Sequence, residues 1–163
     1  MRSADILLLN FSFAQLGKNA WALFSHVFLQ LPDIFFNSIP AFGPLYHVSI
    51  PFVFVGIIVF TIQLFREKNI EKQTQMLALW GFLVTGIWVG LITYEVNINR
   101  VNIIFYPIIL LCAYGIGLAV RKWKKLWPVV AAAYGISSIL FFGTYFTTYA
   151  EESREYYLSL IHI

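Results

Sequence analysis

Four long apolar runs without an internal charge constrain the fold of this chain more than any other feature. A transmembrane helix needs about 20 mostly apolar residues, because each residue adds roughly 1.5 Å and the hydrocarbon core is about 30 Å thick. A charge inside such a run would be costly to bury in lipid. The runs cover about residues 47–65, 76–94, 101–120 and 126–146. The sequence therefore predicts an all-α integral membrane protein with four transmembrane helices.

The composition agrees with this class and excludes several others. Of the 163 residues, 60% are hydrophobic and only 12% are charged, whereas a soluble domain carries about 25% charged residues. The net charge is +3, and the charges gather at the ends of the runs, so no nucleic-acid partner is expected. The single cysteine, Cys112, has no second Cys or His at ligand spacing. Neither a disulfide nor a metal site is therefore expected.

The distribution of Lys and Arg predicts the orientation of the spans. The loops REKNIEKQTQ and RKWKK hold most of the basic residues, and basic loops stay in the cytoplasm. The linker EVNINR has one base, Arg100, and lies outside by alternation. The segment 1–46 and the tail 147–163 then lie outside as well. We expect a multi-pass protein of the cell membrane, inserted in the lipid bilayer, with both termini extracytoplasmic.

Residues 1–46 are apolar but contain too many polar residues for a further span. Within them, Lys18–Leu31 is predicted to form a helix that ends at Pro32 and lies in the outer interface. The phrase FNSIPAFGPLY, rich in turn residues, leads from this helix to the first span. The predicted fold is thus four transmembrane helices plus an N-terminal extracytoplasmic interfacial helix.

The linker between the second and third spans is the first candidate site. It places Arg100 beside three amides, Asn97, Asn99 and Asn102, and one acid, Glu95. A planar guanidinium can give two parallel hydrogen bonds to phosphate oxygens, which suits a lipid-linked phosphate at the membrane surface. The alternative is an ordinary polar loop, in which Glu95 and Arg100 are solvated or paired with each other.

Asp33 and His26 lie in the external N-terminal segment and His47 opens the first span, and these are the other polar candidates. An acid and an imidazole can serve as general acid and base if a pocket shifts their pKa values toward neutrality. The alternatives are turn hydrogen bonding for Asp33 and an interfacial position for His47. The sequence has no glycine-rich phosphate loop, nucleophile elbow or HExxH pair. No catalytic residue and no metal ligand is assigned from these patterns.

The positions of small residues and of one proline predict features of helix packing. Gly86 and Gly90 on the second span, and Ala131 and Gly135 on the fourth, have the spacing that lets helix backbones approach closely in lipid. Pro107 lies inside the predicted third span, where it should kink the helix.

Three phrases resemble a known family. FNSIPAFGPLYHVSIPF, VNINRVNIIFYPIILLCAYGIG and FFGTYFTTYAEESREYY are similar to the later half of bacterial membrane glycosyltransferases of the GT-C fold. These enzymes, of the glycosyltransferase family 39 type, include relatives of protein O-mannosyltransferases and of the aminoarabinose transferase that modifies lipid A. The resemblance touches most of residues 30–157.

The resemblance implies a transferase that passes a sugar from a polyprenyl-phosphate donor to an acceptor outside the membrane. It makes Arg100, in the NR phrase, a contact for the donor phosphate. The family's catalytic acid lies in its first external loop, in the N-terminal half of the parent chain, and Asp33 does not match it. The resemblance therefore implies an inactive fragment of a larger GT-C fold, which needs that half as a partner. Cations or a divalent metal in the parent enzyme would stabilise the leaving phosphate.

Two other functions fit a four-span chain. One is a GtrA-like carrier that helps polyprenyl-linked sugars cross the membrane, and the other is a non-catalytic membrane scaffold. Carriers usually keep polar groups near the midplane, whereas these spans are almost purely apolar. The chain ends in the apolar phrase YYLSLIHI, from which we expect a fragment of a longer membrane protein.

Overall fold

The computed structural model describes residues 12–33, 39 and 41–161, with side chains through residue 155. In this part the chain is all-helical, with 79% of the residues in helices and no strand. The α-helices are α1 (Phe13–Val27), α2 (Ile50–Arg66), α3 (Ile70–Ile92), α4 (Phe105–Lys122), α5 (Leu126–Thr144) and α6 (Ala150–Ile161).

Four helical stretches are long and apolar enough to cross a membrane. Two of them include a short 3-10 turn, His47–Ser49 before α2 or Asn102–Ile104 before α4. This confirms the predicted all-α chain with four such helices. The stretches are His47–Arg66, Ile70–Ile92, Asn102–Lys122 and Leu126–Glu155.

Two of these stretches extend beyond the predicted runs. α3 begins at Ile70 rather than near residue 76, because Asn69 caps it by accepting a hydrogen bond from the Lys72 N–H at 3.1 Å. The helix after Leu126 continues to Ile161, so the predicted tail is helical as far as it is described. Hydropathy marks the apolar part of a helix, whereas capping decides where the helix ends.

The chain divides into two compact units, Met1–Lys124 and Lys125–Ile163. In the first unit, α2 and α4 approach each other at two glycines that the sequence analysis did not single out. A Cβ at Gly56 would collide with the backbone carbonyl of Leu111, and one at Gly115 with that of Phe52. Only glycine allows the two backbones this contact, and the same two helices bury Val53, Ile108 and Leu111 in the core of the first unit.

The two pairs of small residues that were predicted to serve helix packing have different outcomes. A Cβ at Gly86 would lie 3.0 Å from Ile104, and one at Gly90 would lie 2.6 Å from the Leu23 side chain, so this step does serve close packing. A Cβ at Gly135 would meet nothing within 4 Å in the described part of the chain.

The kink expected at Pro107 is wrong, because α4 begins at Phe105 and a proline in the first turn breaks no helical hydrogen bond.

The N-terminal helix is present, but its bounds differ from the predicted Lys18–Leu31. α1 ends at Val27 because Gln30 takes a left-handed φ of 55° and its side-chain amide donates to the Val27 carbonyl. The Gln30 Oε1 accepts from the Leu45 N–H at 2.6 Å, so the chain turns before Pro32. The interfacial position of this helix stays a prediction, and residues 1–11, 34–38 and 40 of the segment lie outside the described residues.

The second unit is one helical segment interrupted by a π-turn. α5 passes into the turn Tyr145–Tyr149 and then into α6. Phe141 stacks on Tyr145 with 6.1 Å between ring centroids, and Tyr145 stacks on Tyr149 at 5.7 Å. Such rings favour the boundary between lipid and water.

Candidate functional site

The connection between α3 and α4, residues 93–101, is termed the Arg100 loop. Asn97 orders it from within, since its Oδ1 accepts from the Arg100 N–H at 2.9 Å and its carbonyl accepts from the Val101 N–H at 3.1 Å. Ile98 and Val101 are buried in the core of the first unit. The loop is therefore held by the hydrogen bonds of its own turn and by the two buried side chains.

Asp33 reaches this loop from far away in the sequence. Its Oδ2 accepts a hydrogen bond from the Ile98 N–H at 2.6 Å. The sequence analysis placed Asp33 and Arg100 in separate segments, and the structure brings Asp33 to the Arg100 loop. A carboxylate that accepts from a backbone N–H holds that backbone in one conformation.

Two amide side chains of α1 cap the end of α3, where the loop begins. The last carbonyls of a helix have no partner within it. Asn19 Nδ2 donates to the carbonyls of Leu91 at 2.9 Å and Thr93 at 2.6 Å. Gln15 Nε2 donates to the Tyr94 carbonyl at 2.9 Å. α1 thereby supplies the hydrogen bonds that fix the start of the loop.

Sequence reasoning missed Gln15 and Asn19 as site residues and treated them only as polar interruptions of an apolar segment. One signal was present. A polar amide in such a segment needs a partner, and Asn19 is only 2% exposed. No local feature of the sequence indicated that this partner would be α3.

The Arg100 side chain is exposed and carries one hydrogen bond, from Nη1 to the backbone carbonyl of Glu95 at 3.0 Å. In the part of the chain that the structure describes, no carboxylate lies within ion-pair distance of this guanidinium. Glu95 thus contacts Arg100 through its backbone and not through its carboxylate. The other N–H groups of this guanidinium have no hydrogen-bond partner in the described residues.

The other candidate residues differ in their exposure and in their positions. Asn97 is half-buried and serves the loop, whereas Asn99 and Asn102 are exposed. His47 is also exposed and opens the turn before α2. Across the described ranges, His47 makes no hydrogen bond with Asp33 or Arg100. The His26 imidazole is buried, and its Nδ1 lies 2.9 Å from the Leu31 carbonyl, so neither histidine is joined to Asp33 by a hydrogen bond in the described residues.

No metal centre forms in the described residues, where no group of three or more His, Cys, Asp or Glu side chains could hold an ion. Comparison of the chain with protein-family models, curated proteins and solved structures finds no match.

Proposed function

We propose that this chain is the later half of a bacterial membrane glycosyltransferase of the GT-C fold, and that Arg100 binds the phosphate of its polyprenyl-phosphate sugar donor. The observation that carries the proposal is the Arg100 guanidinium, exposed and without a carboxylate partner in the described residues. It stands on a loop that Asp33 and Asn19 hold from α1 and the segment after it.

The chemistry of the donor suits such a group. Breaking the bond between the sugar and a polyprenyl phosphate leaves negative charge on the phosphate, and a fixed cation lowers the energy of that charge. A guanidinium matches two phosphate oxygens at once. The exposed amide of Asn102 adds hydrogen-bond capacity close to Arg100 in the sequence. The catalytic acid and any metal would belong to the half of the parent enzyme that precedes these residues.

The position of the loop along the chain also suits a lipid-linked ligand. The Arg100 loop joins the ends of two apolar helices, α3 and α4, so in a bilayer it lies at the surface, where a polyprenyl phosphate has its charge. The basic loops lie at the opposite ends of these helices. By the positive-inside rule the Arg100 loop then faces outward, and the acceptor sugar or protein is extracytoplasmic.

Lipid binding tests this proposal directly. The chain is reconstituted in nanodiscs, and the Kd for polyprenyl phosphate is measured for wild type and for Arg100→Ala. A charge-assisted hydrogen bond contributes about 1.5–3 kcal/mol, so we expect binding to weaken about 10- to 100-fold. Arg100→Lys should show an intermediate loss, because an ammonium keeps the charge without the planar fork.

Lys18→Ala is the matched control, because Lys18 is an exposed cation on α1, next to Asn19. The proposal predicts an unchanged Kd for Lys18→Ala. An equal loss in both variants would indicate general attraction of an anionic lipid to surface charge. An unchanged Kd for Arg100→Ala, with the helical content preserved, would remove the proposed donor site.

A further inference from the structure

α2 and α4 run in the same direction, because the chain reverses at both ends of α3. Phe60 of α2 and Met76 of α3 line one groove on either side of the short connection between their helices, so α3 runs back along α2. Ile104, directly before α4, packs on Gly86 of α3, and Leu110 of α4 lines the groove that contains Met76. The C-terminal ends of α2 and α4 therefore lie at the same end of the first unit.

Arg66 and Arg121 lie at the same level near these two helix ends. Gly56 of α2 packs on the backbone carbonyl of Leu111 of α4, and each helix carries its arginine ten residues after this contact. At a rise of 1.5 Å per residue, both arginines lie about 15 Å beyond it. The packing of α2 on α4 thus sets the level of two cations that are far apart in the sequence.

Tyr114 and Gln63 indicate that the two arginines also lie on the same side of the helix pair. The Tyr114 hydroxyl donates a hydrogen bond to Gln63 Oε1. Arg121 follows Tyr114 by seven residues, and Arg66 follows Gln63 by three. Both spacings keep side chains on one face of a helix. The arginines therefore continue the side on which Tyr114 and Gln63 meet, toward the helix ends.

Basic side chains outnumber acidic ones at this end of the first unit. Six exposed cations form what we term the basic surface, and two acids, Glu67 and Glu71, accompany them. The basic surface consists of Arg66, Lys68, Lys72, Arg121, Lys122 and Lys124. Glu67 Oε1 accepts from the backbone N–H groups of Lys68 at 3.0 Å and Asn69 at 2.9 Å. Within the described ranges none of the six cations forms an ion pair, so the surface keeps a positive charge that attracts an anion.

The depth of the basic surface favours a lipid phosphate over a soluble anion. α2, α3 and α4 each belong to a stretch long and apolar enough to cross the membrane, so their ends lie at the level of the lipid headgroups. Trp123 lies among the cations and is 57% exposed, with the Lys122 Nζ 4.8 Å from its ring centroid. An exposed indole favours the same boundary between lipid and water.

We propose that the basic surface binds the phosphate of one anionic glycerophospholipid, which Arg66 and Arg121 hold from the two helix ends. A guanidinium can give two parallel hydrogen bonds to phosphate oxygens, and the lysines around the arginines attract an anionic headgroup. The positive-inside rule accounts for the number of cations but not for the common level and side of the two arginines. The Arg100 loop joins the opposite ends of α3 and α4, so this site is separate from the proposed donor site.

Native mass spectrometry of the chain in a neutral detergent tests the proposal. Titration with phosphatidylglycerol and with zwitterionic phosphatidylcholine gives a Kd for each lipid. We expect Arg66→Gln and Arg121→Gln each to weaken phosphatidylglycerol binding about fivefold, which corresponds to about 1 kcal/mol for one basic residue near a membrane surface. Phosphatidylcholine binding should change less. The double variant should lose less than the product of the two single losses, because either change already breaks the two-sided contact.

Lys18→Gln is the matched control. It also removes one exposed cation, but from α1, whose Asn19 binds the opposite end of α3. It should leave the Kd for phosphatidylglycerol unchanged. Arg66→Lys and Arg121→Lys keep the charge and should retain most of the affinity, with the helical content of all variants checked by circular dichroism.

Several results would overturn the proposal. Unchanged binding in both glutamine variants, or an equal loss in Lys18→Gln, would show that these two arginines do not form the site. A loss in the lysine variants as large as in the glutamine variants would show that their charge does not matter. Fully multiplied losses in the double variant would place the arginines at separate lipids. Displacement of phosphatidylglycerol by equimolar inorganic phosphate would identify a free anion as the ligand.

Discussion

The two connections of α3 are held in different ways. At its start, Glu67–Asn69 bonds locally, since Glu67 Oε1 accepts from the Asn69 N–H and Asn69 caps the helix. At its end, the Arg100 loop is held by Asp33 and by Asn19, both distant in the sequence. The first connection needs only its own residues to form. The second takes its shape from the folded unit, so its ordering is complete before a ligand arrives, which favours binding.

The basic residues in the two connections of α3 differ in the same way. The first connection and the residues beside it carry several cations, and the positive-inside rule requires no defined geometry of such charges. The Arg100 loop carries one cation, which is oriented by a hydrogen bond to the Glu95 carbonyl. A site is indicated by the placement of a charge and not by the number of charges.

Loss of the Asn19 side-chain amide on α1 should lower the stability more than any other change at the two connections of α3. Asn19→Ala removes two donors from the carbonyls that end α3. Since each unsatisfied buried group costs about 1–3 kcal/mol, we expect the free energy of unfolding to fall by about 2–3 kcal/mol, measured by denaturant titration in detergent. Gln15→Ala, which removes an exposed bond to Tyr94, should cost less than half as much. Equal losses in the two variants would contradict this account of the helix end.

Loss of the Asp33 carboxylate should loosen the loop without unfolding the helices. Asp33→Ala leaves the Ile98 N–H without its acceptor, so we expect about 1–2 kcal/mol less stability and faster hydrogen exchange at Ile98. Polyprenyl phosphate should bind about three- to tenfold more weakly, which corresponds to about 0.7–1.4 kcal/mol of loop ordering. Asp33→Asn keeps an oxygen acceptor and should retain most of both properties. Identical behaviour of the two variants would mean that the hydrogen bond does not order the loop.

A change at the locally bonded connection should have the smallest effect. Asn69→Ala removes the cap of α3 and should lower the free energy of unfolding by about 1 kcal/mol, measured by the same titration. Phosphate binding at the other end of α3 should not change, and Asn69→Asp should restore stability. A loss of lipid binding in Asn69→Ala would show that the two connections are not independent.

The sequence predicts the helical class because the physics of a bilayer depends on local composition. A run of about 20 apolar residues is helical wherever it occurs in lipid, so the four long helices could be found without any tertiary information. The start of α3 could not, because Ile70 lies in a polar stretch where the Asn69 cap decides.

The candidate site was predictable only in part. Arg100 and its three amides lie within six residues of the chain, 97–102, and are therefore visible as a cluster. The contact of Asp33 with Ile98 joins residues 65 positions apart, and no local pattern specifies it. The close contact at Gly56 and Gly115 was missed for the same reason, since the two glycines lie in different helices and the pair exists only after folding.

The proposed role of Arg100 is to recognise a phosphate and not simply a lipid. The most direct test compares the Kd of polyprenyl phosphate with that of the uncharged polyprenol, for wild type and for Arg100→Ala in neutral nanodiscs. The account predicts that wild type prefers the phosphate about 10- to 100-fold and that Arg100→Ala binds both lipids equally. An Arg100→Ala variant that keeps the full preference for the phosphate would contradict it.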